Sequence, residues 1–403
     1  MSVTGSITTK FIDEKGVDLG RQLVEKDYLI SVYPNLVPQL KSAGLFTWGR
    51  NFNGQLGDGT VTNRSSPVQT ITYSTNWKFA SCGYNFTAAT KTDGTLWGWG
   101  NNQYGQLGDN SAVHRLSPVQ NITFASNWLQ VSCGSNHTAA IKTDGTLWTW
   151  GRNAYGNLGN NSMTFTGISS PIQTISGGTN WGSVSCGYSL TGAIKTDGTL
   201  WLWGDNDRGQ LGDNTRLHRS SPVQTVTGGT NWSQVSCGSN HTAAIKTDGT
   251  LWIWGRNAYG QLGDNTLTSK SSPVQTIAGG TNWSSVACGS EITAAIKTDG
   301  TLWTWGINNI GQLGDNTLIN RSSPVQTIAG SINWKKVSTG NFHIAAIKTD
   351  GILWTWGQNA FGNLGDLTVS NKSSPIQVIS GANTWKQVSA GGRHTAAIRD
   401  FNY

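Results

Sequence analysis

Four histidines share one position of a repeated segment, and they could hold a metal ion if they surrounded a central channel. They are His137, His241, His343 and His394. The equivalent residues of the other three copies are Phe86, Leu190 and Ile292. A position that accepts apolar side chains of several shapes is typical of packing, with a hydrogen bond where histidine fills it. We therefore predict a packing position and no metal site. His114 and His218 lie in predicted outer loops without an evident partner.

Carboxylates, which serve as general acids and bases in many enzymes, are also tied to repeated positions. Thirteen of the sixteen that follow residue 44 occupy two of them, an Asp-Gly turn and the Asp of a Leu-Gly-Asp segment. The exceptions are Asp205, Asp207 and Glu291. Asp205 and Asp207 could bind a cation, although a solvated turn is the simpler interpretation. The sequence has no nucleophile elbow and no phosphate-binding glycine loop before a helix, so we predict a protein that is not an enzyme and needs no cofactor.

The cysteines fall at one further repeated position, once in each of five copies. They are Cys82, Cys133, Cys186, Cys237 and Cys288. Cysteines at the same position of successive blades lie too far apart for a disulfide, whose Cα atoms must be within about 7 Å. Thr339 and Ala390 fill the position in the last two copies. We predict a small buried residue on an inner strand.

The elements that carry these residues repeat with a period of 51 residues, extended once to 53. The period is marked by the Trp of a Trp-Gly pair: Trp48, Trp99, Trp150, Trp203, Trp254, Trp305 and Trp356. Each copy contains four short β-type segments separated by Gly-rich turns, and in the copy that starts at Leu251 residues 271–277 form a strand with proline at its start. Four strands per repeat are typical of a propeller blade.

The ends of the repeat array indicate that the ring is closed. The first copy, from Leu45, lacks a preceding Thr-Ala-Ala-Ile strand, and the chain ends on such a strand at residues 395–398. Pairing the two would remove the exposed edges of an open array. The predicted fold is therefore all-β: residues 45–403 form a closed seven-bladed β-propeller of four-stranded blades, with the first blade completed by the C-terminal strands and residues 1–44 as an N-terminal appendage.

The unit Cys-Gly-x-x-His-Thr-Ala-Ala-Ile-Lys-x-Asp-Gly-x-x-x-x-Trp-Gly-x-Asn-x-x-Gly-Gln-Leu-Gly, clearest over residues 237–263, resembles the repeat of the regulator of chromosome condensation family. The resemblance covers about residues 45–400, is most like phage and bacterial members, and implies a seven-bladed propeller. The best-known member catalyses nucleotide exchange on a small GTPase and binds nucleosomes, whereas most relatives are interaction modules. In that member a projecting wedge and a basic N-terminal tail carry these activities. Here the longest copy has only two extra residues, near residues 162–168, and the tail is neutral.

All 20 tryptophans occupy repeated positions, so we predict that they pack between blades. Another aromatic position could contact a sugar or a protein, or could cover the next blade; it holds Tyr104, Tyr155, Tyr259 and Phe361. The net charge of +7 arises at variable positions, because thirteen repeated cations are predicted to pair with the thirteen repeated aspartates. Six of the variable cations are predicted to form a basic sector on one side of the ring, either a binding surface or a solvated one: Arg50, Lys78, Lys335, Lys336, Lys386 and Arg393.

Residues 1–44 are predicted to be a docking or attachment segment. They lie outside the repeat, and their side chains best suited to docking are Phe11, Leu19, Leu23, Val24, Tyr28 and Tyr33. They contain no apolar core of the signal-peptide kind, and no apolar run in the chain approaches the roughly 20 residues of a membrane span.

The leading functional hypothesis is a non-enzymatic interaction or structural propeller in a bacteriophage virion, as a tail, neck or fibre protein for attachment or decoration. Residues 1–44 would bind virion components and a propeller face would meet a host-surface glycan or protein; nucleic acid is an unfavoured ligand. The predicted location is the virion, or the cytoplasm of the producing cell. The alternative is an intracellular scaffold that binds a small GTPase or chromatin.

Overall fold

The computed structural model describes residues 43–328, 332–380 and 383–401, which form 28 β-strands. In chain order they are β1 (Ala43–Gly49), β2 (Arg64–Gln69), β3 (Trp77–Cys82), β4 (Phe86–Lys91), β5 (Leu96–Gly100), β6 (Arg115–Gln120), β7 (Trp128–Cys133), β8 (His137–Lys142), β9 (Leu147–Asn153), β10 (Thr164–Gln173), β11 (Trp181–Cys186), β12 (Leu190–Lys195), β13 (Leu200–Gly204), β14 (Arg219–Gln224), β15 (Trp232–Cys237), β16 (His241–Lys246), β17 (Leu251–Gly255), β18 (Lys270–Gln275), β19 (Trp283–Cys288), β20 (Ile292–Lys297), β21 (Leu302–Gly306), β22 (Arg321–Gln326), β23 (Trp334–Thr339), β24 (His343–Lys348), β25 (Leu353–Gly357), β26 (Lys372–Gln377), β27 (Trp385–Ala390) and β28 (His394–Asp400). Among the residues in those ranges, no helix is long and apolar enough to cross a membrane.

Seven four-stranded antiparallel sheets form the blades of a closed propeller, as predicted. Strands β3–β6 make the first blade, each later group of four makes the next, and β27, β28, β1 and β2 make the seventh. Strand β1 pairs with β28 from Ala43↔Asp400 to Gly49↔His394, which confirms that the C-terminal strands complete the blade of the first copy. Strand β1 includes two residues, Ala43 and Gly44, that the predicted boundary placed in the N-terminal segment.

The first strand of each blade is the innermost, and these seven strands contact one another around the central channel, with β27 against β3. A glycine follows each innermost strand where neighbouring blades approach most closely. A Cβ atom added to Gly238 would lie 2.5 Å from the carbonyl oxygen of Gly289 in the next blade. The same contact recurs around the whole ring, at Gly83, Gly134, Gly187, Gly238, Gly289, Gly340 and Gly391. These positions are glycine because no side chain fits between the blades.

Tryptophan rings fill the space between blades. Trp283 begins an innermost strand and Trp305 lies in the third strand of the same blade, and both are buried. Their rings meet edge to face with centroids 6.1 Å apart. The Trp305 Nε1–H donates to the carbonyl oxygen of Gln261 in the preceding blade at 2.9 Å. The predicted packing role is confirmed for these two tryptophan positions, each burying on the order of 200 Å².

The outermost strand of each blade carries a proline. Strand β18 runs from Lys270 to Gln275, so Pro273 lies within it and not at its start as predicted. Proline has no N–H to donate, and an outermost strand needs hydrogen bonds on one side only.

The alternating strand directions give the propeller two faces. The loop face carries the turns between innermost and second strands, such as residues 83–85, and the loops between third and outermost strands, such as residues 50–63. The hairpin face carries the Thr-Asp-Gly turns, such as residues 92–94, and the connections from each outermost strand to the next blade, such as residues 70–76.

Candidate functional site: the loop face

The long loop of each blade is held rigidly by one buried asparagine. In the seventh blade Asn51 accepts a hydrogen bond from the backbone N–H of Leu56 at 2.9 Å and donates through Nδ2 to Asp58 at 3.0 Å. Asp58 in turn forms an ion pair with Arg64 at 2.8 Å, and its side chain is only 4% exposed. Burial raises the pKa of Asp58, but hydrogen bonds from Thr60 and Arg64 outweigh it and keep that pKa below its ordinary value.

Each loop is also fixed to the following blade. The carbonyl oxygen of Gln55 accepts hydrogen bonds from Trp99 Nε1 at 3.0 Å and from the Thr87 hydroxyl at 2.9 Å. Gly57 lies against the Trp99 ring, where an added Cβ would be 2.8 Å from Nε1. The repeated residues of the loops are therefore scaffold, and partner specificity must come from the variable residues that they hold in place.

The predicted pairing of repeated cations with aspartates is right for one cation position and wrong for the other. Among the described residues, five Leu-Gly-Asp aspartates form ion pairs with the cation that begins the outermost strand, as at Asp58 and Arg64, and the carboxylates of these five are nearly buried. The lysines that end the second strands lie instead over tryptophan rings. Lys246 Nζ is 5.0 Å from the centroid of Trp232 and 4.8 Å from that of Trp252. Trp252 and its equivalents are half-buried, and the lysine covers part of each ring.

The four histidines at the shared position are buried between blades and hydrogen-bonded, as predicted. The Thr191 hydroxyl donates to the carbonyl oxygen of Asn157 at 2.8 Å, so its oxygen accepts the Nε2–H of His137 at 3.0 Å. The same contact joins His241 to Thr293. Burial lowers the pKa of His137 to about 4 and that of His241 to about 3. These side chains are neutral and do not form a metal-binding group among the described residues.

His114 and His218 do have partners, contrary to the prediction. His114 Nδ1 accepts the backbone N–H of Asn102 at 3.0 Å, and His218 Nδ1 accepts that of Asn206 at 3.1 Å. His218 also lies 3.4 Å from Asp205 and 3.5 Å from Asp207. The ligand atoms of these three residues lie within 4.8 Å of one another, a spacing that suits a cation, although the Asn206 N–H already uses the Nδ1 lone pair of His218.

The cysteines lie around the central channel, and all five are free and buried. The cavity that they line has a volume of about 80 Å³, well below the roughly 300 Å³ of a small ligand pocket. Desolvation raises the pKa of the Cys82 and Cys186 thiols to about 12, so they remain protonated. The predicted packing role is confirmed.

The aromatic residues selected from the sequence all lie on the loop face and are half-buried. Arg152 of the second blade lies over Tyr104 of the first, 5.3 Å from its centroid. Tyr155 meets His218 of the next blade edge to face at 5.0 Å. Tyr259 lies beside Arg256 of its own blade. These rings therefore cover neighbouring side chains and still present part of their surface to solvent.

Arg50 and Arg393 lie together on the loop face around Phe361. Their guanidinium carbons are 5.6 Å and 5.2 Å from the centroid of the Phe361 ring. Arg50 also lies over Phe52 at 4.9 Å, and Arg393 lies over Phe342 at 5.4 Å. We call these five residues the arginine–phenylalanine cluster. Sequence reasoning missed Phe52 and Phe342. The only signal for them was that each is aromatic at a variable position where the other copies have no aromatic residue.

The four lysines of the predicted basic sector lie on the hairpin face. Lys78, Lys335 and Lys386 each follow the tryptophan that begins an innermost strand, and Lys336 is the next residue in its strand. Lys386 forms an ion pair with Asp400, and Lys336 Nζ donates to the Lys386 carbonyl oxygen at 2.6 Å. The six cations therefore occupy neighbouring blades but are divided between two faces. The predicted docking residues from Phe11 to Tyr33 lie outside the described residues.

The fold and this geometry define a closed seven-bladed propeller in which repeated residues form the scaffold and variable residues are concentrated on loops. The sequence profile of the RCC1-like domain matches residues 169–402, and that of the regulator of chromosome condensation (RCC1) repeat matches residues 42–90 and 93–141. The chain belongs to the RCC1 repeat family, which confirms the resemblance seen in the sequence.

Individual relatives share most of their length with this chain. The ultraviolet-B receptor UVR8 of Arabidopsis thaliana is 34% identical over 331 residues, which are 80% of this chain and 74% of the receptor. The crystal structure of human WBSCR16 has a TM-score of 0.78 at 24% identity, covering 89% of this chain and 99% of that one. Prp20p from Saccharomyces cerevisiae has a TM-score of 0.79 at 20% identity, covering 90% and 93%. At these identities the two structures show the shared fold.

Proposed function

We propose that this protein is a non-enzymatic interaction propeller that binds a protein partner through its loop face. The observation that carries the proposal is that the repeated residues of the loops fix the backbone, whereas the variable residues are presented at the surface. Buried asparagines, aspartates and tryptophans fix the loop backbones, as at Asn51 and Trp99, while arginine and aromatic side chains lie at the variable positions between them. Arginine, tyrosine and phenylalanine are enriched at protein–protein interfaces, and a rigid scaffold lowers the entropic cost of binding.

The behaviour of a relative supports the same class of function. Prp20p has been studied structurally together with its binding to Gsp1p and histones, and it has also been crystallised with Kap60. Each of those partners is a protein. We infer that this chain, like Prp20p, binds proteins, and that it does not bind a small ligand in the narrow channel.

A crosslinking experiment with the full chain tests this proposal. A photoreactive amino acid placed at Tyr259 on the loop face should crosslink a protein in the producing cells. The same residue placed at Tyr73, which is 68% exposed on the hairpin face, is the matched control. Crosslinks from position 73 and none from position 259 would contradict the use of the loop face.

For the biological setting, we propose a bacteriophage virion, with this protein attached to the tail, neck or a fibre, or decorating the particle. Residues 1–44 would dock on virion components, and the loop face would meet a host-surface protein or glycan. The proposal is supported by the sequence, in which a short neutral segment precedes seven similar copies. Because β1 begins at Ala43, the test is deletion of residues 1–42. Unchanged incorporation of the truncated protein into particles would refute the docking role.

The second candidate is an intracellular scaffold that binds a small GTPase or chromatin, and the likeness to Prp20p favours it. The two extra residues of the third copy fall within and beside the long outermost strand β10, which is ten residues long against six in its counterparts β6 and β14. Acceleration of nucleotide release from a small GTPase by the purified chain would support this candidate. An unchanged release rate would remove exchange activity from consideration.

A further inference from the structure

We propose that the arginine–phenylalanine cluster is a docking site for an acidic segment of a partner protein, in which Asp or Glu side chains alternate with apolar ones. This inference deepens the proposed function and rests on it. The cluster joins the sixth, seventh and first blades on the loop face, because Phe342 and Phe361 belong to the sixth blade and Arg50 contacts Asn85 of the first.

The first argument is charge. Neither Arg50 nor Arg393 forms an ion pair with any carboxylate among the described residues, and the Nε atom of each is buried without a hydrogen-bond partner. The backbone N–H of Arg50 donates to the carbonyl oxygen of Arg393 at 2.9 Å, which holds the two residues side by side. Both guanidinium groups lie close to the Phe361 ring, at 5.6 Å and 5.2 Å from its centroid, and like charges gathered around one ring favour the binding of an anion.

The second argument is a comparison with the fourth blade of the same molecule. Arg256 holds the repeat position of Arg50, and its guanidinium forms an ion pair with Glu291 of the fifth blade. Burial raises the pKa of Glu291, and the positive charge of Arg256 opposes that rise. At Arg50 the residue equivalent to Glu291 is Asn85, which gives a single hydrogen bond at 3.5 Å. An arginine at this repeat position therefore binds a carboxylate where the next blade supplies one, as Arg256 does, whereas the next blade supplies no carboxylate to Arg50.

The third argument identifies the kind of anion. Phe52 is 54% exposed, so an apolar side chain of a partner can bury against it. The guanidinium groups lie over one face each of Phe52, Phe342 and Phe361, which leaves less ring surface for stacking on a sugar. Two cations at one point also differ from the extended row of cations that follows a nucleic-acid backbone. A carboxylate flanked by apolar side chains matches both the charge and the exposed ring.

The test uses the full chain and two fluorescein-labelled synthetic peptides. In one peptide Asp and Glu alternate with Leu and Phe, and in the other Asn and Gln replace the acidic residues. Fluorescence anisotropy should show binding of the acidic peptide and much weaker binding of its amide counterpart. The double variant R50Q/R393Q should bind the acidic peptide about tenfold more weakly, since it loses two solvent-exposed charge pairs. R50K/R393K, which keeps both charges, should lose less.

Arg152→Gln is the matched control. Arg152 holds the same repeat position as Arg50 and also lies over an aromatic ring, Tyr104, but within the described part of the chain no second arginine lies over that ring. We expect its affinity to stay within about twofold of the original protein. Thermal unfolding of each variant monitors folding, and the lysine variant decides the test if the glutamine variant is unstable.

Three results would overturn the proposal: equal binding of the acidic and amide peptides, an equal loss in the Arg152→Gln protein, or binding of heparin oligosaccharides that depends on Arg50 and Arg393 while the acidic peptide does not bind. The last would assign the cluster to an anionic glycan. None of them touches the broader proposal, because crosslinking from Tyr259 reports a partner on the loop face whether or not the arginine–phenylalanine cluster contributes.

Discussion

Acidification should destabilise the propeller between pH 7.5 and about pH 5, because its buried histidines cannot accept a proton in the folded state. Burial lowers the pKa of His241 and His394 to about 3, and that of His137 and His343 to about 4. The ordinary pKa of histidine is 6.5. Below that value the unfolded chain binds protons that the folded chain does not. Stability is therefore fully present above pH 6.5 and falls as the pH drops toward the folded-state values.

The size of the effect follows from these pKa values. A group that titrates only in the unfolded state lowers the free energy of unfolding by about 1.4 kcal/mol for each pH unit below its unfolded-state pKa. Each histidine should therefore lower the free energy of unfolding by about 2 kcal/mol between pH 7.5 and pH 5, and four independent ones by about 8 kcal/mol. That sum is comparable with the whole stability of a typical domain, about 5–15 kcal/mol. Aspartates contribute little in this window, because their ordinary pKa is 3.8.

The assay is urea unfolding followed by tryptophan fluorescence at a series of pH values. Sister blades supply the control substitutions, since Leu190 and Ile292 occupy the same position. His241→Leu and His343→Ile should each reduce the pH-dependent loss by about 2 kcal/mol and leave the fold intact. An acid sensitivity that is identical in the original protein and in both variants would refute the assignment of that sensitivity to these histidines.

Two further predictions concern packing. Gly238→Ala should lower the free energy of unfolding by about 3 kcal/mol, because the added methyl group would meet the carbonyl oxygen of Gly289. Gly182→Ala is the control, since an added Cβ there would have its nearest neighbour 3.5 Å away. Equal losses of thermal stability in the two variants would contradict the close approach of the blades. Lys246→Met should lower the free energy of unfolding by about 0.5–1 kcal/mol, because it removes a cation from two tryptophan rings. Lys246→Arg keeps the cation and should lower that free energy less. A methionine variant as stable in urea as the original protein would show that the cation–π contact contributes nothing.

The blade architecture could be predicted from the sequence because it depends on local patterns repeated many times. The period of Trp-Gly pairs counts the blades, and the unmatched strands at the two ends indicate how the ring closes. The exchangeable residues at the histidine and cysteine positions also indicate packing without any coordinates, because a position that accepts Leu190 and Ile292 in other copies is typical of a buried packing position.

The side-chain contacts could not be predicted, because they depend on the register between strands and on which distant segments pair. Lys246 lies over Trp232 because the antiparallel register places the two directly opposite each other, and composition gave only its charge. Arg50 and Arg393 are brought together by the pairing of β1 with β28. Lys386 is seven residues before Arg393 but lies on the opposite face, because the innermost strand β27 separates their positions. The predicted basic sector was assigned from the blades that carry its cations, and it therefore combined residues of the loop face with residues of the hairpin face.

Hydroxyl-radical footprinting of the protein in its native complex, compared with the free protein, tests the use of the loop face most directly. Phe52 and Tyr188 report on the loop face, where they are 54% and 44% exposed. Tyr73 and Phe124 report on the hairpin face, and each is 68% exposed. Oxidation should fall in the complex at Phe52 or Tyr188 and stay unchanged at Tyr73 and Phe124. Protection of Tyr73 and Phe124 with full oxidation of Phe52 and Tyr188 would show that the partner binds the opposite face.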